Sequence, residues 1–157
     1  VFNALTGSRQ HVGNWPGKTV EKKEGVCRHD GLEITVVDLP GTYSLTAYSA
    51  EEVIARDYII EEKPDVVIDV VDASNLERNL YLAVQLVELG ANLVLALNMS
   101  DMADARGLRI DVEKLSLGLK SVPVVRTVAN KKRGIDDLLE AAIRVADARW
   151  SIAHKPF

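Results

Sequence analysis

The chain has 157 residues, 47% of them hydrophobic, which is enough apolar material for one domain with its own core and leaves no low-complexity tail. A net charge of -4 and a pI near 5.4 exclude nucleic acid as the main partner, because a phosphate backbone needs a concentrated basic face. The single Cys27 excludes an internal disulfide and fits a reducing compartment.

Val1 to Thr6 reads as the end of a helix, with Phe2 and Leu5 at helical spacing and Gly7 as its stop. Ser8 to Thr19 holds Gly13-Asn14-Trp15-Pro16-Gly17 and reads as a loop, in which Trp15 is either a packing anchor or a mobile contact. Thr19 to Arg28 and Leu32 to Leu39 are β-like, joined at His29-Asp30-Gly31, whose Asp-Gly pair is a hairpin signal. A helix is expected over Ser49 to Glu62, ended by Lys63-Pro64, and then a strand over Val66 to Val71. That strand is apolar on both faces apart from Asp69, the pattern of a buried parallel strand.

Leu76, Leu80, Ala83, Val84 and Val87 define a helix stopped by Gly90. Asn92 to Leu97 is a strand, Val112 to Leu119 a short helix, Val122 to Val125 the last strand and Ile135 to Arg149 the last helix. Strands alternating with helices give a doubly wound, mainly parallel α/β sheet with one antiparallel hairpin at its edge. The longest apolar runs, such as Leu93 to Leu97, fall well short of the ~18 residues that a membrane-spanning helix requires. No signal-peptide pattern opens the sequence, so this stretch is expected to be soluble.

Three polar clusters stand out. Asp38-Leu39-Pro40-Gly41 follows one apolar strand, Asn98-Met99-Ser100-Asp101 follows another, and Thr19 lies upstream in the Gly/Pro-rich loop. A loop threonine, then Asp-x-x-Gly, then Asn-x-x-Asp is the order of parts in a guanine-nucleotide switch. An Asp at the carboxyl edge of a sheet is placed to meet Mg²⁺, which takes oxygen ligands and keeps several waters. Gly41 has no side chain to hold its N–H away from a terminal phosphate. Thr19 would give its hydroxyl to Mg²⁺ and its amide to that phosphate; the plainer alternative is the first residue of a strand. Asp101 can accept from N1–H and the 2-amino group of guanine, which adenine does not offer, and unpaired buried groups cost roughly 1 to 3 kcal/mol each. The competing reading is that Ser100 or Asp101 caps the next helix. Cys27 with His29 offers too few ligands for a closed metal site. Lys18, Lys22 and Lys23, and Lys131, Lys132 and Arg133, read as solvated surface, and His11, His29 and His154 as ordinary histidines.

The strings Gly13-Asn14-Trp15-Pro16-Gly17-Lys18-Thr19-Val20-Glu21, Asp38-Leu39-Pro40-Gly41-Thr42-Tyr43-Ser44-Leu45 and Asp72-Ala73-Ser74-Asn75-Leu76-Glu77-Arg78-Asn79-Leu80 together resemble the cytosolic G domain of bacterial ferrous iron transport protein B. The resemblance covers nearly the whole chain and implies the P-loop GTPase (Ras-like) fold. It implies a GTP-binding, slowly hydrolysing switch domain over residues 1–149, with 150–157 beginning the link to a helical domain and then the membrane domain. Gly17, Lys18, Thr19, Val20 and Glu21 would form the first switch, and Asp38, Leu39, Pro40 and Gly41 the start of the second. Asn98, Met99, Ser100 and Asp101 would read the base, and Val128, Ala129 and Asn130 would make the last base-contacting loop. The implied cofactors are GTP or GDP and Mg²⁺, held by Thr19 and by Asp38 through water, with K⁺ as a further candidate. The implied setting is the cytoplasmic face of the inner membrane, as part of a polytopic Fe²⁺ transporter; a second copy of the chain is a further candidate partner.

The chain also departs from that pattern. The phosphate loop, Gly-x-x-x-x-Gly-Lys-Ser/Thr, and the strand before it are absent and are expected upstream of Val1. Met99 stands where many GTPases carry Lys, and Ala129 where a serine is common. Thr42 occupies the place of the water-orienting glutamine of Ras-type proteins, so unassisted turnover is expected at or below about 10⁻³ s⁻¹.

Overall fold

The computed structural model describes residues 1–7 and 10–153, with side chains through residue 148. It divides into two compact units, residues 1–63 and 64–157. In the first unit, helix α1 (Phe2–Thr6) precedes strands β1 (Gln10–Asn14), β2 (Glu21–His29) and β3 (Leu32–Asp38), and helix α2 (Ala50–Glu62) closes the unit. The three strands form an antiparallel sheet in the order β1-β2-β3. Asp30 and Gly31 both take positive φ, 49° and 79°, as a two-residue hairpin turn whose twist matches the strands requires.

Strand β1 replaces the first part of the expected loop. Its residues are exposed apart from Gln10 and show no apolar alternation, so backbone pairing with β2 alone makes it a strand. Ser8, also assigned to that loop, lies outside the described residues. Strand β2 begins at Glu21 rather than Thr19, since Trp15 N–H donates to Val20 O at 2.9 Å and closes the hairpin before the ladder starts. Helix α2 starts where the sequence indicates: Ser49 is extended and its hydroxyl accepts from Glu52 N–H at 3.1 Å. Lys63, left-handed at φ 47°, ends it before Pro64.

The second unit alternates β4 (Val67–Asp72), α3 (Leu76–Glu88), β5 (Leu93–Asn98), α4 (Ser100–Ala105), α5 (Val112–Gly118), β6 (Val124–Arg126) and α6 (Ile135–Ala153). Its sheet is parallel, ordered β4-β5-β6. Central β5 is the core: Leu93 is 3% exposed and Val94, Leu95, Ala96 and Leu97 are fully buried. Burying each large side chain stabilises the unit by about 1.5 to 3 kcal/mol. Gly90, at φ 81°, stops α3 as its position implies. Helix α4 leaves no periodic pattern in the sequence, because six residues with only Ser100 and Ala103 buried present no stripe. Helix α6 runs on to Ala153, through the residues where the link was expected to begin, and residues 154–157, His154 among them, lie outside the described part.

Candidate nucleotide-binding site

In the first unit, Thr19 and Asp38 lie at the same end of the antiparallel sheet, because the start of β2 pairs with the end of β3 and Lys23 faces Asp38 in the ladder. Thr19 is exposed, in the β1–β2 connection. That connection is built on a turn: Lys18 N–H donates to Trp15 O at 2.9 Å, Pro16 supplies its fixed φ, and Gly17 takes φ 69°. Trp15 is 8% exposed and therefore the packing anchor of the pair of readings. Its ring meets Tyr58 of α2 edge-on at 5.7 Å between centroids, and Lys22 Nζ stands 4.8 Å from the ring centroid. Lys22 is thus not simply solvated: it also pairs with Glu24 at 2.9 Å, which raises its pKa.

Asp38 is exposed at the end of β3, yet the chain around its carboxyl removes enough water to raise the pKa, and Lys23 opposes that shift. Beyond it, Leu39, Pro40 and Gly41 lead to a loop stitched by hydroxyls. Thr42 Oγ1 donates to Ser44 O at 2.5 Å and accepts from Ser44 N–H at 3.2 Å. Ser44 and Thr46 hydroxyls are 3.1 Å apart, and Thr46 donates to Glu52 at 2.8 Å, as does Tyr48 N–H at 3.2 Å. These bonds, led by that from Thr46, hold the Glu52 carboxyl below its usual pKa.

In the second unit, the remaining candidates gather at the carboxyl ends of the parallel strands, where open α/β sheets bind ligands. Asp72 and Asn98 are register partners at the ends of β4 and β5. Asp72 caps a short 3-10 turn, accepting from Ser74 N–H at 2.8 Å and Ser74 Oγ at 2.6 Å. Asn98 Oδ1 accepts from Ala129 N–H at 3.0 Å and from Thr127 Oγ1 at 3.2 Å, tying the β5–α4 junction to the β6–α6 loop. A backbone bond from Ser100 to Thr127 O, 3.3 Å, adds to that tie. Met99 sits at φ 57°, a conformation that an L side chain adopts only under local constraint.

Neither Ser100 nor Asp101 occupies the N-cap position of α4, although Asp101 does bond an amide of its first turn. The N-cap of α4 is Met99, with no side-chain cap bond; Ser100 Oγ turns back to Leu97 O at 2.6 Å. Asp101 accepts from Met102 N–H at 2.9 Å through Oδ1 and from Lys131 Nζ at 3.1 Å through Oδ2. Lys131 foremost holds the Asp101 carboxyl below the ordinary carboxylate pKa. Lys131 is therefore a second departure from the solvated surface expected of its cluster, and only the position of α4 reveals it. The β6–α6 loop is closed by two backbone bonds between Val128 and Arg133, at 3.0 and 3.1 Å, around the 3-10 turn Ala129–Lys131. Val128 is buried with its N–H committed to Arg133, whereas Asn130 is exposed at the turn.

A parallel α/β layer with Asn-x-x-Asp at the end of its central strand, accompanied by an antiparallel sheet carrying Asp-x-x-Gly, has the make-up of a nucleotide-binding G domain. A family model described as "Ferrous iron transport protein B" matches residues 1–142. The chain belongs to that family. It is 54% identical over 142 residues to the Fe(2+) transporter FeoB of Salmonella typhimurium, covering 88% of this chain and 18% of that protein. It is 47% identical over 153 residues to a Fe(2+) transport protein A/Fe(2+) transporter FeoB fusion protein of Porphyromonas gingivalis, covering 97% of this chain and 18% of that protein. The chain thus spans under a fifth of the length of these curated relatives.

Among solved structures, the cytosolic domain of T. maritima FeoB in its GMPPNP form aligns with TM-score 0.88 at 45% identity, over 92% of this chain and 57% of that one. The FeoB G domain of Methanococcus jannaschii aligns with TM-score 0.81 at 52% identity, over 93% of this chain and 87% of that one. Among the described residues, no helix is long and apolar enough to cross a membrane.

Proposed function

We propose that this chain is the guanine-nucleotide switch of a membrane ferrous iron transporter, binding GTP or GDP with Mg²⁺, hydrolysing GTP slowly, and coupling nucleotide state to Fe²⁺ uptake at the cytoplasmic face of the membrane. The observation that carries the reading is the joining of Asn98, Asp101 and the Ala129–Lys131 turn at one strand end. Asp101 has two carboxylate oxygens for the N1–H and 2-amino group of guanine. Asn98, with Oδ1 engaged by the neighbouring loop, can turn Nδ2 toward the acceptors at N7 and O6. Asn130 and the backbone beside it border the same ring edge. Met99 and Ser100 shape the approach, one by its left-handed backbone and the other by its bond to Leu97.

Thr19 and Asp38 supply the oxygen donors that Mg²⁺ prefers, and a divalent charge is what a partly desolvated Asp38 carboxyl calls for. Bound there, the ion would neutralise charge on the phosphates; Thr19 would hold the first switch to it, and the flanking Gly17, Lys18, Val20 and Glu21 would move with Thr19. Leu39, Pro40 and Gly41 would bring the Gly41 N–H to the terminal phosphate. Loss of that phosphate would release both segments. K⁺ belongs to the reading by family resemblance, as do the adjoining helical and membrane domains.

In the complete polypeptide, Asp101→Asn is expected to shift preference from guanosine to xanthosine nucleotides, because the new amide donates to the xanthine 2-oxo group and no longer accepts from a 2-amino group. Unchanged selectivity for GTP would overturn the reading. A second reading, a non-catalytic GTP/GDP-sensing module that positions a partner domain, is favoured by the Thr42 hydroxyl being turned onto Ser44 rather than outward. Single-turnover measurement with Mg²⁺ and K⁺ separates the two: phosphate released within minutes to hours supports the hydrolase, and none over that time supports the sensor.

A further inference from the structure

We propose that Lys131 is a positioning residue for guanine recognition: its ammonium fixes the plane of the Asp101 carboxylate so that both oxygens meet the base together. This rests on the base-reading role of Asp101 given above. The observations behind it are geometric. A carboxylate has about four acceptor positions on its two oxygens. In Asp101, Oδ1 accepts from Met102 N–H at 2.9 Å, a donor shared with Met99 O at 3.0 Å, and Oδ2 accepts from Lys131 Nζ at 3.1 Å. Those two bonds leave room on the carboxylate for two parallel donors, which is what N1–H and the 2-amino group require.

The terminal torsion of an aspartate is broad, so a carboxylate anchored through one oxygen alone would swing. Met102 N–H anchors one oxygen; Lys131 anchors the other. Lys131 is itself held, as the last residue of the 3-10 turn Ala129–Lys131, followed by Lys132 in the left-handed region at φ 52° and bracketed by the Val128–Arg133 backbone pair. The two loops at the strand end are consequently fastened first through Asn98 and Ser100, to Ala129 and Thr127, and second through Asp101 to Lys131. The second fastening crosses thirty residues of sequence, from Asp101 to Lys131, and contributes no capping bond to either helix.

The Lys131 and Asp101 side chains are 52% and 32% exposed, so the effect is modest and sensitive to salt. The test is equilibrium binding of GDP and of inosine diphosphate, whose base lacks the 2-amino group, to the complete polypeptide. Lys131→Met is expected to weaken GDP by about two- to fivefold and inosine diphosphate by less, so that the ratio of the two affinities falls; Lys131→Arg keeps the ratio. Raising NaCl from roughly 0.05 to 0.5 M should lower the wild-type ratio toward that of Lys131→Met and leave the variant's flat, since the phosphates are common to both ligands. In an Asp101→Asn background, Lys131→Met should change neither affinity further. A wild-type ratio in Lys131→Met, or an equal loss with and without the Asp101 carboxylate, overturns the proposal while leaving base reading intact. Full GDP affinity in Asp101→Asn alone removes the base reading and the proposal with it.

Discussion

Gly41 is a glycine for which the protein itself has no steric use: a Cβ built there meets no atom within 4 Å, and its φ lies outside the left-handed range. Gly41→Ala is therefore expected to change unfolding free energy by no more than about 0.5 kcal/mol, measured by denaturant titration, while weakening binding of a nucleoside triphosphate more than that of the diphosphate. Equal weakening of both would detach Gly41 from the terminal phosphate. Asp69 is the opposite kind of residue. It sits 7% exposed in β4, its Oδ2 without a hydrogen-bond partner among the described residues, and burial pushes its pKa from 3.8 up to about 7. Between those values the folded chain holds a proton that the unfolded chain has released, so stability falls as pH rises from about 4 to 7 and then levels off. The loss is of the order of 4 kcal/mol, and Asp69→Asn should flatten the profile when unfolding is followed from pH 4 to 8. A wild-type profile in the variant would assign the pH dependence to other groups.

At the scale of elements, the β6–α6 loop is held by its closing glycine. Gly134 takes φ 76°, and a Cβ there would lie 2.2 Å from Arg126 O, a backbone atom that cannot yield cheaply. Gly134→Ala is expected to cost about 2 to 4 kcal/mol of stability, by thermal or denaturant unfolding, and to weaken guanine nucleotide binding by displacing Ala129 and Lys131. A variant as stable as wild type would mean that the loop can open elsewhere at no cost. The same loop shows what sequence reading reaches. The strand end carrying Asn98 is legible because burial of β5 writes an apolar run before it, whereas the end carrying Asp38 is legible from the β-branched run Val36-Val37 in a half-exposed strand. The roles of Lys131 and Lys22 are not legible, since a lysine among lysines looks solvated until the chain brings Asp101 or Trp15 beneath it. Likewise β1 owes its existence to hydrogen bonds with β2 rather than to side chains, and α4 is too short to show a periodicity.

At the scale of the molecule, the two units each gather candidate groups at one end of a sheet: Thr19 and Asp38 in the first, Asn98, Asp101 and Asn130 in the second. The proposed function assigns phosphate and Mg²⁺ contacts to the first set and base contacts to the second. Alternation of strand and helix made the α/β class readable, and the left-handed turns at Gly31, Lys63 and Gly90 stand at the breaks that the sequence marks. Hydrogen–deuterium exchange of the complete polypeptide, with Mg²⁺ and with or without a non-hydrolysable GTP analogue, tests that assignment most directly. Simultaneous protection of residues 17–21, 38–41, 98–101 and 128–131 is the expected result; protection confined to one unit, with the other exchanging as before, would contradict it.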